Sequence, residues 1–297
     1  MNIKISEKIF ASFQGEANNA GMPSLWVRFF GCNLQCNGFN QADPTNPATY
    51  ILPYKELKIS NYSKMEDLPV FEYGCDSSYS WYKKYKHLSY SYTVEEIVEQ
   101  LLTVGRERFG IINEMCHPLT RQHVQLCFTG GEPMLQQKAM LDIIEQMNRR
   151  SDSDTYPITI ETNGTKRLTS EFKNSTNYFD NTVNISCSPK LFSVSGEKDK
   201  VYLDIIEEYA RYSDKGCIKL VANGTAACWD EIDSYTEGFT NIIKENPNWS
   251  LWIMPVGATV EQQQGPTVGE IANDAMKRGY KVATRNHVSV YGNVIGS

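Results

Sequence analysis

The chain has 297 residues, 41% hydrophobic and 22% charged, with 17 tyrosines and 12 phenylalanines, a composition that suits a globular protein with room for a substantial core. Its formal net charge of −6 argues against a general nucleic-acid-binding surface, which needs excess Lys and Arg to neutralise phosphates. No apolar run approaches the roughly 18–20 residues that span a bilayer, and the opening "MNIKISEKIF" lacks the apolar core of a secretion signal, so the expectation is a cytoplasmic protein without a membrane partner.

In chain order, "LWVRFF" (25–30) is the first apolar run that reads as a strand buried on both faces. An irregular stretch follows, and then "TVEEIVEQLLTVGRERFG", which starts with Thr93 and Glu96 as a capping box and places Val94, Ile97, Val98, Leu101 and Leu102 on one helical face. The strand-like "VQLCFT" (124–129) leads to the amphipathic "QQKAMLDIIEQMNRR", and "PITIET" (157–162) and "TVNISC" (182–187) read as the next strands. The remainder alternates: helix "VYLDIIEEYARYS", strand "CIKLVA" (217–222), helix "DEIDSYTEGFTNIIKEN", strand "LWIMPV" (251–256) and helix "TVGEIANDAMKRGY". Strands alternating with helices imply a parallel sheet with helices packed outside it. An α/β open sheet and a full or partial (β/α) barrel both satisfy that pattern. Without repeats or a low-complexity linker, one domain over 1–297 is the economical reading.

Residues 37–74, rich in Asn, Pro and Tyr, break the rhythm and show no sustained period. Long irregular segments in compact domains are usually functional loops or tolerated insertions, and this composition reads as loop rather than core. The segment begins directly after Cys36 and ends directly before Cys75.

In a reducing compartment disulfides are uncommon, so the eight cysteines are expected to be free thiols or metal ligands. Cys127, Cys187 and Cys217 lie in strand-like runs and read as small buried hydrophobes, while Cys116 and Cys228 receive no role. Cys32 and Cys36, in "GCNLQCNGFNQ", have metal-ligand spacing. A structural zinc would take four Cys or His ligands, yet there is no second cysteine pair and the four histidines (87, 117, 123 and 287) are scattered. A three-cysteine site would suit an iron–sulfur cubane with one iron left open, since such clusters are otherwise held by four thiolates. Spacing alone leaves both readings standing. In "LCFTGGEP" (126–133) an apolar strand runs into glycines that let a ligand approach the backbone at the strand's carboxyl end, where α/β folds place their sites. Glu132 there offers a carboxylate to a bound ammonium, although a GGE taken alone is also an ordinary turn.

Together with "SFQGEANNAGMPSLWVRFFGCNLQC" (12–36), "CDSSYSW" (75–81), "IETNGT" (160–165), "SPKL" (188–191) and "IMPVGAT" (253–259), these motifs give the chain a resemblance to radical S-adenosylmethionine enzymes. More narrowly, it resembles the 7-carboxy-7-deazaguanine synthase family, which converts 6-carboxy-tetrahydropterin into the deazapurine precursor of queuosine and related bases. The motifs occur in the family's order over nearly the whole chain.

The resemblance implies a single-domain partial (β/α) barrel of the radical S-adenosylmethionine type. It implies that Cys32, Cys36 and Cys75 hold a 4Fe-4S cluster, with 37–74 as an insertion in the cluster loop that stretches the usual Cys-x3-Cys-x2-Cys to Cys-x3-Cys-x38-Cys. An added loop is tolerable because doubling loop length adds only about 0.6 kcal/mol of closure entropy. The cluster's electron would cleave S-adenosylmethionine to methionine and a 5′-deoxyadenosyl radical that abstracts hydrogen from the pterin. By the same resemblance Gly74, Asp76, Gly131, Glu132, Ser188, Pro189 and Lys190 fall near S-adenosylmethionine. Phe13, Gln14, Gly15, Glu16, Arg28 and Thr129 fall near the substrate, and Arg28 can pair bidentately with a carboxylate. Ser77 matches the residue that gives a hydroxyl to Mg2+, a hard ion that prefers oxygen. Arg285, His287 and Ser297 resemble a late segment that reaches the substrate, with a satisfied surface pair as the alternative for the first two. The family further implies an electron donor such as flavodoxin and a homodimer. Two departures stand out: the long insertion, and a weaker match after residue 265.

Two other functions fit part of the pattern. One is a radical S-adenosylmethionine activase that makes a glycyl radical on a partner protein, against which the QGE segment and Arg28 favour a small acidic substrate. The other is a non-catalytic cluster- or zinc-binding interaction protein, against which the GGE, Asp76-Ser77 and SPK segments argue.

Overall fold

The computed structural model describes residues 2–111, 114–150, 155–176 and 182–296. Three strands come first: β1 (Ile3–Ile5), β2 (Phe10–Phe13) and β3 (Pro23–Phe29). The short α1 (Pro53–Glu56) lies within the irregular segment, and β4 (Tyr90–Tyr92) and α2 (Val94–Phe109) follow it. The alternating part is β5 (Gln125–Gly130), α3 (Gln137–Arg150), β6 (Ile158–Thr162), α4 (Ser170–Thr176), β7 (Val183–Cys187), α5 (Phe192–Ser195) and α6 (Leu203–Arg211). It continues with β8 (Lys215–Ala222), α7 (Ala226–Glu245), β9 (Trp249–Pro255), α8 (Pro266–Lys277), β10 (Lys281–Val282) and α9 (Asn286–Tyr291).

All six apolar runs are strands, and they form the parallel part of one sheet of order β10-β9-β8-β7-β6-β5-β3-β1-β4, with β2 also on β3. Their residues are apolar on both faces because both faces are covered: β7 is buried throughout and β5 at all but its last residue. Buried side chains of α2, α3, α6, α7 and α8 join those of the strands in one large core. The Thr93–Glu96 capping box forms as expected and Gly110 closes α2 in the left-handed region. Each crossover returns the chain to the next position, so the order from β3 to β10 never reverses. That winding gathers the loops after the strands at one end of the sheet, where the site lies. The short antiparallel strands β1, β2 and β4 carry too few residues to show a period, and the sequence pattern did not reveal them.

The segment 37–74 corrects the expectation of a loop without core. Tyr54 and Met65 are fully buried, and with Leu68 and Phe71 they pack on Tyr79, Tyr85, Leu88 and Ile295 in a second hydrophobic cluster. Tyr54 sits edge-on to Phe71, Trp81 and Tyr82, and its hydroxyl donates to Asn37 Oδ1 at 2.7 Å. Its apolar residues come from short 3-10 turns and one helical turn, which explains why no period of 2 or 3.6 marks them. The segment leaves and returns at one place: Gly74 N–H donates to Phe39 O at 2.9 Å and Asn40 Nδ2 to Glu72 O at 2.8 Å. This pinch brings Cys36 and Cys75 to one site despite the chain between them. Among the described residues no helix is long and apolar enough to cross a membrane.

Candidate active site

At the carboxyl ends of the parallel strands one cavity collects side chains from nearly every loop. Gly131, directly after β5, makes the closest approach possible. A Cβ on Gly131 would lie 2.2 Å from Gly31 O and 2.8 Å from Cys32 Cβ, so only glycine lets the β5 turn press against the cysteine loop after β3. Glu132 then locks the turn to its neighbour: its carboxylate accepts from Met134 N at 2.9 Å, Thr162 Oγ1 at 2.7 Å and Asn163 N at 2.7 Å.

Cys32, Cys36 and Cys75 all line this cavity and all are free. Burial pushes the Cys32 thiol up to about 11 and the Cys75 thiol up to about 12. Cys36 rises well above its ordinary range, chiefly through burial and then through the neighbouring Cys75, Glu197 and Cys32 against the pull of Lys190. Cys36 and Cys75 thus each feel a neighbouring thiol. N–H donors already face their sulfurs: Leu34 N lies 3.4 Å and Asn163 Nδ2 3.9 Å from Cys32 Sγ, and the Trp81 side chain bonds Cys75. Among the described residues no three His, Cys, Asp or Glu side chains gather tightly enough for a single metal ion. A cluster needs its thiols spread around a larger body than a tetrahedral zinc, whose ligand sulfurs lie roughly 4 Å apart. Three free thiols on one cavity, two of them facing N–H donors, fit a thiolate-held cluster, and metal binding would displace their protons.

Beside the thiols runs a chain of alternating charge. Buried Lys219 on β8 pairs with Glu16. Arg285 Nε lies 3.0 Å from Glu16 Oε1 and its Nη2 2.8 Å from Asp76 Oδ2, while Nη1 donates to Gly257 O at 2.8 Å. Burial alone would raise the Glu16 carboxyl, but Lys219 and then Arg285 hold it far below the usual carboxylate range. Arg285 likewise overrides burial to lower Asp76. His287 packs on Gly15 so closely that a Cβ there would lie 2.0 Å from its Nδ1, and burial depresses its pKa, which keeps the ring neutral at pH 7. Gln14 Nε2 and Thr129 Oγ1 both donate to Glu161, at 3.1 and 2.9 Å.

The third wall holds Arg28, with Phe10 and Trp26 stacked beside it at 5.9 Å and 3° between planes. Arg28 Nε donates to buried Glu7 at 2.6 Å, and burial pushes the Glu7 carboxyl up against the pull of Arg28.

Phe13, Gln14, Gly15, Glu16, Arg28, Gly74, Asp76, Ser77, Thr129, Gly131, Ser188, Lys190, Arg285 and His287 all meet on this cavity. Arg285 and His287 are therefore pocket residues and not a surface pair. Pro189 does not line it, and neither does Glu132, whose buried carboxylate is taken up by three donors and is not directed at a bound ammonium. Ser77 Oγ donates to Asp76 Oδ1 at 3.3 Å. Ser297 lies outside the described residues. Sequence reasoning missed Glu7, Glu161 and Lys219. The signal for Lys219 was present, as a lone charge inside the apolar run "CIKLVA".

No family model matches the chain. It is 24% identical over 289 residues to a protein of Pyrobaculum aerophilum named 7-carboxy-7-deazaguanine synthase, covering 97% of this chain and 95% of that one. Proteins of the same name from Haemophilus influenzae and Clostridium acetobutylicum match at 28% over 167 residues and 27% over 180. Those matches cover 56% and 60% of this chain and 48% and 54% of the relatives. The crystal structure of QueE from Escherichia coli is similar with a TM-score of 0.52 at 17% identity, covering 97% of this chain and 95% of that one, a likeness of fold. The resemblance read from the motifs is thus found in proteins carrying the family's name, one of them along nearly the full length.

Proposed function

We propose that this chain is a 7-carboxy-7-deazaguanine synthase, a carbon–nitrogen lyase acting on 6-carboxy-tetrahydropterin within a partial (β/α) barrel of the radical S-adenosylmethionine type. One observation carries the reading: Cys32, Cys36 and Cys75 line one cavity with an arginine whose terminal nitrogens make no hydrogen bond among the described residues. When bound, the 4Fe-4S cluster supplies the electron for reductive cleavage of S-adenosylmethionine. Cys32, Cys36 and Cys75 would hold it, and Gly131 lets the β5 turn pack against the Cys32 loop that presents the first of them. Arg28 takes the pterin carboxylate with its planar fork, and the Phe10–Trp26 wall suits a flat heterocycle. Glu16, fixed in its ionised form by Lys219 and Arg285, accepts hydrogen bonds from the ring's N–H groups. Glu161, already accepting from Gln14 and Thr129, lies on the same cavity and keeps those two side chains in place. Ser77 and Asp76 supply oxygens suited to Mg2+, which commonly joins one or two protein oxygens to its ligand's.

The cavity's cations are Arg28, Lys190, Lys219 and Arg285 against Glu16, Asp76 and Glu161, a balance that suits a small anionic substrate better than a protein segment. The test is anaerobic reconstitution with iron and sulfide, then incubation with S-adenosylmethionine, reductant, Mg2+ and 6-carboxy-tetrahydropterin, read by product mass. Formation of 7-carboxy-7-deazaguanine is expected. A reconstituted protein that cleaves S-adenosylmethionine yet leaves the pterin unchanged would overturn the substrate assignment.

A further inference from the structure

The arm that presents Cys36 is held from outside the cavity. Glu197, in the loop after α5, accepts with one oxygen, Oε1, the backbone N–H of Gln35 at 2.7 Å and that of Cys36 at 2.8 Å. Beside it Ser195 O accepts from Gly38 N at 2.9 Å, so the loop grips the chain on both sides of the cysteine. Cys36 has a φ of 51°, the left-handed region that residues with a Cβ occupy only where the surroundings over-determine it. The pinch between Phe39 and Gly74 closes the insertion on the far side of Cys36, and the Glu197 bonds hold the near side. A close Cys-x2-Cys spacer would restrict the middle thiol covalently, whereas across a spacer of 38 residues that restraint comes from non-covalent contacts.

We propose that Glu197 is the positioning residue of the two-cysteine arm. Its carboxylate locks the Gln35–Cys36 backbone so that the Cys36 sulfur faces the cavity with Cys32 and Cys75 before any cluster arrives. This rests on the function proposed above only for the identity of the group the thiols hold. Two N–H groups on one carboxylate oxygen are charge-assisted bonds, roughly twice as strong as neutral ones. The loop carrying Glu197 is itself pinned, because Glu231 accepts from Phe192 N and Ser193 N, each at 2.8 Å.

Because one oxygen takes both bonds, Glu197→Gln can keep them with its amide oxygen while losing the charge, and Glu197→Ala loses them altogether. In the apo-protein, hydrogen exchange at Gln35 and Cys36 should speed up about tenfold or more in Glu197→Ala and stay within about threefold of the parent in Glu197→Gln, as expected for losing or keeping hydrogen bonds. After reconstitution, a chelator should strip iron several-fold faster from Glu197→Ala, with Glu197→Gln close to the parent. The apo-protein's thermal midpoint should be the same in all three. Unchanged exchange at Gln35 and Cys36 in Glu197→Ala overturns the proposal. So does a midpoint that falls along with exchange across the whole sheet, which would make Glu197 a general structural residue. If Glu197→Ala is insoluble, Glu197→Asp, one methylene too short to reach, is read in the same way. A parent that takes up no iron defeats the cluster reading alone, since the exchange measurement still decides the hold on Cys36.

Discussion

Arg28 Nε donates to Glu7 Oε1 at 2.6 Å, and no other hydrogen bond to the guanidinium occurs among the described residues. Glu7 therefore anchors the side of the fork and leaves the two terminal nitrogens, on a side chain 17% exposed, turned to the cavity. An arginine held by its Nε keeps the plane of the fork fixed, which is what bidentate carboxylate binding requires.

Arg28→Lys keeps the charge and removes the fork. Pterin affinity, measured by anaerobic equilibrium dialysis, should fall about 10-fold to 100-fold, the equivalent of one strong charge-assisted bond of roughly 1.5–3 kcal/mol. Cluster content should not change. Unaltered affinity would take Arg28 out of the substrate pocket.

Cys32→Ala, Cys36→Ala and Cys75→Ala should each abolish the visible absorption of the reconstituted cluster. Cys116→Ala and Cys228→Ala, altering buried thiols that line no part of the cavity, should retain it. Full absorption in Cys75→Ala would remove the third ligand, and with it the explanation of the pinched insertion.

Tyr54→Ala should destabilise the protein by about 3–5 kcal/mol, the usual range for truncating a buried large aromatic, because Tyr54 is the centre of the second cluster. Replacing residues 38–73 by a short linker should do worse, since Tyr79, Tyr85 and Leu88 would lose their partners. Urea denaturation with cluster content recorded in parallel checks both. An unfolding midpoint equal to the parent's in either variant would restore the reading of a dispensable loop.

The parallel sheet was legible because its strands are buried on both faces, so "VQLCFT" and "CIKLVA" stand out as continuous apolar runs whatever packs on them. The cysteines and the QGE and GGE segments were legible through their order along the chain. The insertion was not, because Tyr54, Met65, Leu68 and Phe71 are brought together by irregular turns that leave no periodic trace. Nor was the division of labour between Glu132 and Glu161. Both follow or end apolar strands, and only the three-dimensional register turns Glu132 into the floor beneath Asn163 and Glu161 into the cavity wall. Glu7 was hidden for a related reason: its significance is Arg28, 21 residues away, across an antiparallel edge too short to read.

Glu16 makes stability depend on acidity. Its carboxyl is held below the ordinary value of 4.5 in the folded chain, so the folded state binds the proton less readily than the unfolded one. That contribution is complete above pH 4.5 and is lost as pH falls from there toward the much lower folded-state value. Glu16→Gln should therefore be less stable than the parent at pH 7, and the gap should narrow as pH drops below about 4. Urea unfolding of both proteins between neutral and acidic pH tests this. A gap that is constant with pH would mean that Glu16 is not ionised against Lys219 and Arg285.

Arg285 bonds Asp76 209 positions earlier in the chain and Glu16 269 positions earlier. Proteins are made from the amino end and their earlier parts begin folding during synthesis. The three cysteines leave the ribosome long before the arginine that neutralises the acids beside them. The acids beside the thiols therefore precede this counter-ion in the order of synthesis. The charge balance of this wall of the cavity is thus completed only once Arg285 has been made.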